Sequence, residues 1–507
     1  MTRLPTQKSR RIPPTAPPKP TVVGKPGPGS AGKSGPAVAG NAGPPAAGKS
    51  GPGSAAAAAA TVAPASPPGR PARPPLALYA HFPWCVKKCP YCDFNSHPLR
   101  AAIDQDAYID ALLRDLDGDI ARYALNESGR RKRQLAAIFL GGGTPSLFSA
   151  AAIGRLLRGI GARLPLARGI EITLEANPGG VEHDDFAAYR AAGVNRLSLG
   201  AQSFEDAQLA KLGRIHSADD TRRAVAAARA AGFDNLNLDL MHGLPGQTTA
   251  DAGRDLDAAL ALAPAHLSLY QLTIEPHTAF HRRPPRLPNA DRILDMQRAL
   301  TARAARAGYR RYEVSSYARP GMRCRHNLNY WRFGDYLGIG AGAHGKITVG
   351  AAAPPQFPHG PPPPTSGGRG KPDAGTAPAA ERGDGNFSAA NHESNAQKNP
   401  GAVQRYWKIR HPGRYLATAG GPRALAGARP IADADLLFEF LMNALRLTDG
   451  FPLSLARART RLPTAEITAA LANPANRRWL LLNHHRIRCS ATGYRLLNEI
   501  LQELLPE

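Results

Sequence analysis

Between Leu76 and Tyr317 short apolar runs alternate with amphipathic stretches of helical period, and few architectures accommodate that order. The runs are LALYAHF (76–82), LAAIFLGG (135–142), GIEITLEA (169–176), NRLSLGA (195–201), NLNLDLM (235–241) and HLSLYQL (266–272). Helical patterns lie between them at Asp104 to Tyr123, Ala150 to Ala162, Asp219 to Ala231 and Ala250 to Leu262, and again at Asn289 to Gly308. The alternation predicts parallel strands overlaid by helices, as an open α/β sheet or a full or partial barrel. Such folds gather ligands at the carboxyl ends of their strands. The polar, glycine-rich runs GGGTPS, EANPGG, GAQSF and DLMHGLPGQ fall there and mark the active edge.

Composition sets the limits of this body. Residues 1–74 carry ten Lys or Arg, no Asp or Glu, and little besides Pro, Gly, Ala and Ser; residues 349–403 are similarly biased, with four basic and four acidic groups. Neither stretch buries enough apolar surface to offset the entropy of ordering, so both are expected to be disordered. That leaves one large domain over 75–348 and a smaller module over 404–507. The module is expected to be mostly helical, with helices at 433–447, in TAEITAALA and in YRLLNEILQELL.

Of the net charge of +25, the N-terminal tail holds +10, and the folded part carries the rest. A basic body attracts anionic ligands or a membrane surface, which makes peripheral association an expectation. Nucleic acid is not expected: aromatics are 6% of the chain and do not interleave with the basic residues. No run approaches the roughly 20 apolar residues of a membrane span. Pro13 and Pro14 follow KSRR where an export signal needs an apolar core. With five Cys in the whole chain and no disulfide framework, the cytoplasm is the expected compartment.

Three of those cysteines crowd into FPWCVKKCPYC, where Cys85, Cys89 and Cys92 follow the first strand at C-x3-C-x2-C. Structural zinc normally needs four ligands, and no second pair stands downstream. CPYC alone would suit a redox dithiol, but then Cys85 is idle. A [4Fe–4S] cluster usually takes four thiolates, and three leave one iron open to a small chelating molecule. The loop resembles the cluster loop of the radical S-adenosylmethionine (SAM) superfamily. That resemblance implies a SAM site in which the glycines of GGGTPS lie against the methionine part, with Glu175, Gln202, Arg214 and Asp239 as a polar rim. A guanidinium suits the SAM carboxylate through a forked contact.

The stretch from Leu76 to about Gly345, with the C-terminal module, is similar to the oxygen-independent coproporphyrinogen III oxidase family of radical SAM proteins. The resemblance implies an α/β fold, a partial (β/α)6 barrel with a small helical C-terminal domain. It places Cys85, Cys89 and Cys92 on the cluster, and Tyr79, Tyr91, Gly142, Gly143, Thr144, Glu175, Gln202, Arg214 and Asp239 on SAM. The family's dehydrogenases carry a further cysteine two positions after the third, where this chain has Phe94, and a long N-terminal arm that this chain lacks. The segment RCRHNLNYWRFGDYLGIGAGAHG (323–345) instead resembles the H-N-x-x-Y-W motif of the heme chaperone branch, as do YQLTIEPHTAF and YEVSSYARPG. By that resemblance His326, Asn327, Tyr330 and Trp331 contact heme near the exit from the barrel to the module. A His can ligate the iron and aromatic rings can stack on the porphyrin. Packing of Tyr330 and Trp331 against the module, with His326 at a helix cap, is the alternative. Cys324, two residues before His326, is either a thiolate ligand or inert, the latter being favoured, and Cys489 is read as a packing residue.

Two functions follow. One is a heme-binding protein that passes heme to acceptors such as respiratory cytochromes, with an electron donor serving its cluster. The other is the decarboxylating coproporphyrinogen dehydrogenase. A radical SAM modification of tRNA is a third reading that the motifs do not favour.

Overall fold

The computed structural model describes residues 73–126, 133–179, 186–349, 401–472 and 478–505. All six apolar runs form strands: β1 (Leu76–Phe82), then, after a short ribbon of β2 (Trp84–Cys85) and β3 (His97–Pro98), β4 (Leu135–Gly142), β5 (Leu166–Ala176), β6 (Arg196–Gln202), β7 (Leu236–His242) and β8 (His266–Gln271). They pair in parallel and in sequence order, with Leu78 opposite Ile138 and Leu238 opposite Leu267. The helices over them are α1 (Gln105–Arg122), α2 (Ala150–Arg163), α3 (Phe186–Ala191), α4 (Asp206–Lys211), α5 (Ala218–Ala230), α6 (Thr249–Ala261), α7 (Ala279–Arg282) and α8 (Ala290–Arg306). Their starts are set by side chains that accept the first free backbone N–H groups: Asp104, Ser149 and Asn289, and the reciprocal pairs Ser217–Asp220 and Thr248–Asp251.

The sheet then continues past the alternating pattern. The strands β9 (Arg310–Arg311) and β10 (Ser316–Ala318) extend one edge antiparallel to β8. On the other edge β11 (Asp335–Ile339) joins β1 in parallel, and β12 (His344–Thr348), β13 (Val403–Lys408) and β14 (Leu425–Pro430) add an antiparallel meander. The two outermost strands, β14 and β9, do not pair with each other, so the barrel is partial.

The expected disorder of 1–74 and 349–403 lies outside the described residues except at the margins, and there the boundaries move inward. Val349 is buried, and its N–H donates to Ala402 O (2.9 Å) while Gly401 N–H donates to Val349 O (3.0 Å). Val403 is the first residue of β13, paired with Thr348. The chain therefore leaves and re-enters the sheet across one closed hairpin base. The module boundary at 404 moves as well, because β13 and β14 belong to the main sheet. The return is anchored by Lys408, buried between Asp115 (2.5 Å) and Asp119 (2.8 Å) of α1, to which Tyr415 and Tyr406 also donate. Beyond Ile431 a second core gathers Phe440, Leu441, Leu445, Ile467 and Ile487. Among the described residues five short helices and a three-stranded sheet (Phe451–Pro452, Leu480–Leu482, Arg486–Cys489) lie in this module.

Candidate functional site

The cluster cysteines sit on a loop closed at its base by the β2–β3 ribbon, where Leu99 N–H donates to Cys85 O (2.9 Å). The Lys88 ammonium donates back to Phe94 O (3.1 Å) and Ser96 O (3.0 Å), and Asn95 Nδ2 donates to Ala341 O (2.8 Å) and Arg410 O (2.9 Å). The loop is thus pinned to the barrel at several points. The glycine run at the end of β4 lies directly on it: Gly143 N–H donates to Phe82 O (2.6 Å) and Thr144 N–H to Trp84 O (2.7 Å). A Cβ at Gly143 would collide with the Trp84 carbonyl, and Gly142 has a φ of +114°, so both positions call for glycine.

Cys85, Cys89 and Cys92 all face one cavity of about 340 Å³. Among the described residues no three His, Cys, Asp or Glu close around a single point as a lone ion would need; the thiols border a space instead. Thr144 Oγ1 donates to Cys85 Sγ (3.5 Å) and Arg214 Nη1 to Cys89 Sγ (3.6 Å), and Ser96 Oγ lies 3.8 Å from Cys92 Sγ. Burial raises the pKa of the Cys85 and Cys92 thiols, so taking up a metal centre would release protons.

Eight of the nine residues that the sequence assigns to SAM line this cavity; Tyr79 does not. Its hydroxyl is bonded to His81 Nδ1 (2.9 Å) and its ring stacks on Phe139, one layer below. On the cavity floor Glu175 accepts from Gly142 N–H (3.0 Å), and burial, then the charge of Asp239, pushes its carboxyl up to about 7. Asp239 accepts from Asn237 (2.8 Å) and Ser198 (3.2 Å). Arg214 Nη2 is held by Asn177 Oδ1 (2.5 Å) and Gly200 O (3.0 Å), while its buried Nε has no hydrogen-bond partner. Asn177 also donates to Thr144 Oγ1 (2.9 Å) and so joins the glycine run to the guanidinium. Sequence reasoning did not single Asn177 out, although it stands inside EANPG; a small amide at a strand end looks like any cap.

The H-N-x-x-Y-W segment forms α9 (Arg325–Trp331), and it points inward. Glu171 Oε1 on β5 accepts from Arg325 N–H (2.8 Å), His326 N–H (3.3 Å) and Cys324 Sγ (3.4 Å). That carboxylate suits the positive end of the helix. The His326 ring packs on Phe139 (4.9 Å between centroids) and Tyr79 (6.4 Å), and burial lowers its pKa to about 4. Tyr330 packs on Tyr336 (5.0 Å) and Trp331 (5.3 Å), and Arg446 of the module lies 5.7 Å over the Trp331 ring. Asn327 donates to the Tyr312 hydroxyl (3.3 Å). The rings that the resemblance assigns to heme are half-buried, each with a neighbouring ring already against it. Cys324 is buried, as is Cys489, whose surroundings are those of a packing residue.

A strand-end cavity bordered by three cysteines and a glycine run, on a partial parallel barrel, defines a radical SAM protein. The Radical SAM superfamily profile matches residues 79–259, and the HemN C-terminal domain profile matches 431–496. Membership carries with it a [4Fe–4S] cluster and SAM. The chain is 46% identical over 383 residues to the heme chaperone HemW of Escherichia coli, covering 75% of this chain and 84% of that protein. It is 40% identical over 437 residues to HemW of Haemophilus influenzae, covering 86% and 100%. In fold it resembles the solved coproporphyrinogen III oxidase HemN of Escherichia coli, with a TM-score of 0.63 and 22% identity, covering 85% of this chain and 90% of that one. The chain belongs to the HemW family.

Proposed function

We infer that the protein is a heme chaperone, which binds heme and passes it to acceptor proteins while carrying a [4Fe–4S] cluster on Cys85, Cys89 and Cys92 and SAM beside it. The observation that carries this reading is Phe94: it occupies the place of the dehydrogenase branch's additional thiol, with its side chain 60% exposed at the mouth of the cysteine cavity. The relatives named as heme chaperones support the same choice.

The residues present fit both cofactors. Three thiols with hydroxyl and guanidinium donors beside them suit a cluster, and the unpartnered Arg214 Nε, in a cavity also lined by the buried carboxyl groups of Glu175 and Asp239, suits an amino acid carrying both charges. When bound, the cluster would supply an open iron for a chelating ligand and a source of single electrons. Arg214 would hold the carboxylate of SAM, Glu175 and Asp239 its amino and ribose groups, and Gly142 and Gly143 would admit its chain against the backbone. His326, Asn327, Tyr330 and Trp331 of α9, all half-buried, are the residues proposed to contact heme, and the chaperone reading does not depend on them. Among the described residues no helix is long and apolar enough to cross a membrane.

The test is anaerobic reconstitution followed by heme titration and coproporphyrinogen III turnover on one preparation. Stoichiometric heme without protoporphyrinogen is the expected result; turnover without heme retention would assign the protein to the dehydrogenases.

A further inference from the structure

Asn177, directly after β5, stands between the two donors that reach the cysteine thiols. Its side chain is bonded on both sides: Arg214 Nη2 donates to Asn177 Oδ1 (2.5 Å), and Asn177 Nδ2 donates to Thr144 Oγ1 (2.9 Å). Chemistry fixes the sense of both bonds. A guanidinium has donors only, so it faces the amide oxygen and leaves the NH2 group for the threonine. Having accepted there, the Thr144 hydroxyl still has its own hydrogen to give, and Cys85 Sγ lies 3.5 Å away. On the other side Arg214 Nη1 donates to Cys89 Sγ (3.6 Å), while Gly200 O also holds Nη2 (3.0 Å). One amide thus aims a hydroxyl at one thiol and a guanidinium at another.

The surroundings keep that amide in place. A Cβ at Gly200 would come within 3.2 Å of Asn177 Oδ1 and 3.4 Å of Arg214 Nη2, so any larger residue would press on the pair. Thr144 is buried (3% exposed), and its backbone N–H is taken by Trp84 O (2.7 Å). The hydroxyl is therefore the one donor that Thr144 can offer the sulfur. Hydrogen bonds to a thiolate sulfur favour the more negative, reduced state of an iron–sulfur cluster and so raise its reduction potential.

We propose that Asn177 is a positioning residue that sets the reduction potential of the cluster, by turning the Thr144 hydroxyl towards Cys85 and fixing the Arg214 guanidinium beside Cys89. This rests on the assignment of the cluster to Cys85, Cys89 and Cys92 and adds to it a control from outside the thiols. Asn177→Asp separates the two halves of the role. A carboxylate keeps the bond from Arg214 and strengthens it, but it can only accept, so the Thr144 hydrogen turns to it and away from the sulfur. Exchange of one NH2 group for an oxygen removes a donor from Cys85 without emptying the space.

The experiment is an EPR-monitored redox titration of the reconstituted full-length protein without SAM, with iron and sulfide assayed in parallel and SAM affinity measured separately by calorimetry. Asn177→Asp and Thr144→Val are each expected to shift the potential to more negative values. The double variant should shift it by less than their sum, since with the hydroxyl gone only the added charge remains to act. Asn177→Leu, of similar size and uncharged, should move the potential the same way, and it serves if the aspartate variant does not load iron. An unmoved potential in the loaded variants, or an equal effect of Asn177→Asp with and without the Thr144 hydroxyl, would overturn the role while leaving the cluster assignment intact. Loss of SAM affinity at an unmoved SAM-free potential would also overturn it, by making Asn177 a ligand contact. Wild-type protein that takes up no iron would overturn the cluster assignment and this role with it.

Discussion

The cluster loop and helix α9 carry the two most specific motifs of the chain, and they end in opposite surroundings. The loop follows the carboxyl end of a parallel strand, where backbone groups run out of partners and the chain opens to ligands. Its thiols border a cavity and its apolar residues stand in solvent. The helix is drawn into the barrel by Glu171, and its aromatic rings are spent on Phe139, Tyr79 and Tyr336. Two motifs of comparable distinctness thus differ in what they can touch. A motif reports residue types in order, whereas access is decided by which face of its element the fold covers.

The sharpest way to break the comparison is to empty the open side. Replacing Cys85, Cys89 or Cys92 with Ala is expected to abolish most iron and sulfide in reconstituted protein, since a three-thiolate site has no ligand to spare; full iron content and an unchanged EPR spectrum would remove the loop from the cluster. Arg214→Ala should weaken SAM binding by about 1.5–3 kcal/mol, the range for a hydrogen bond to a charged group, measured by calorimetry at matched cluster content. On the closed side, His326→Ala should cost about 1–3 kcal/mol of stability in denaturant unfolding, from lost ring contacts and packing, and leave the Soret band of heme-loaded protein in place. A shifted band would bring α9 to the iron and erase the distinction between the two regions.

The last expected effect is one of pH and is confined to part of the pH range. The Glu175 carboxyl is pushed up to about 7, against about 4.5 unfolded, so between those values the folded chain keeps a proton that the unfolded chain has released. Stability of the cofactor-free protein therefore falls as pH rises through that window. Glu175→Gln should recover about 1–3 kcal/mol at pH ~8 and nothing at pH ~4. Equal gains at both pH values would show that the carboxyl is not held neutral.

The parallel strands and their helices were legible in the sequence because each apolar run is flanked by a helical period, a local signal. The three cysteines were legible for the same reason. The meander β11–β14 was not: DYLGIGAGAHGKIT reads as a glycine-rich turn, and β13, the partner of β12, lies more than fifty residues further on. The inward face of α9 was equally hidden. Its helical period cannot say that Glu171, some 150 residues earlier, would cap it. Gln202 adopts a φ of +65° at the cavity edge, which a glutamine does not announce.

The hairpin base at Val349 and Gly401 has a consequence for how the protein tolerates cutting. Both flanks are sealed into the sheet, and the strand that follows carries Lys408 to two buried carboxylates of α1. Loss of that ammonium would leave two negative charges facing each other inside the molecule, so a fragment that stops before β13 should not stand by itself. A backbone cleaved between 350 and 400, in contrast, severs no contact among the described residues. Its halves are expected to complement each other, and a reporter or an affinity handle spliced into that interval is expected to leave the hairpin base intact.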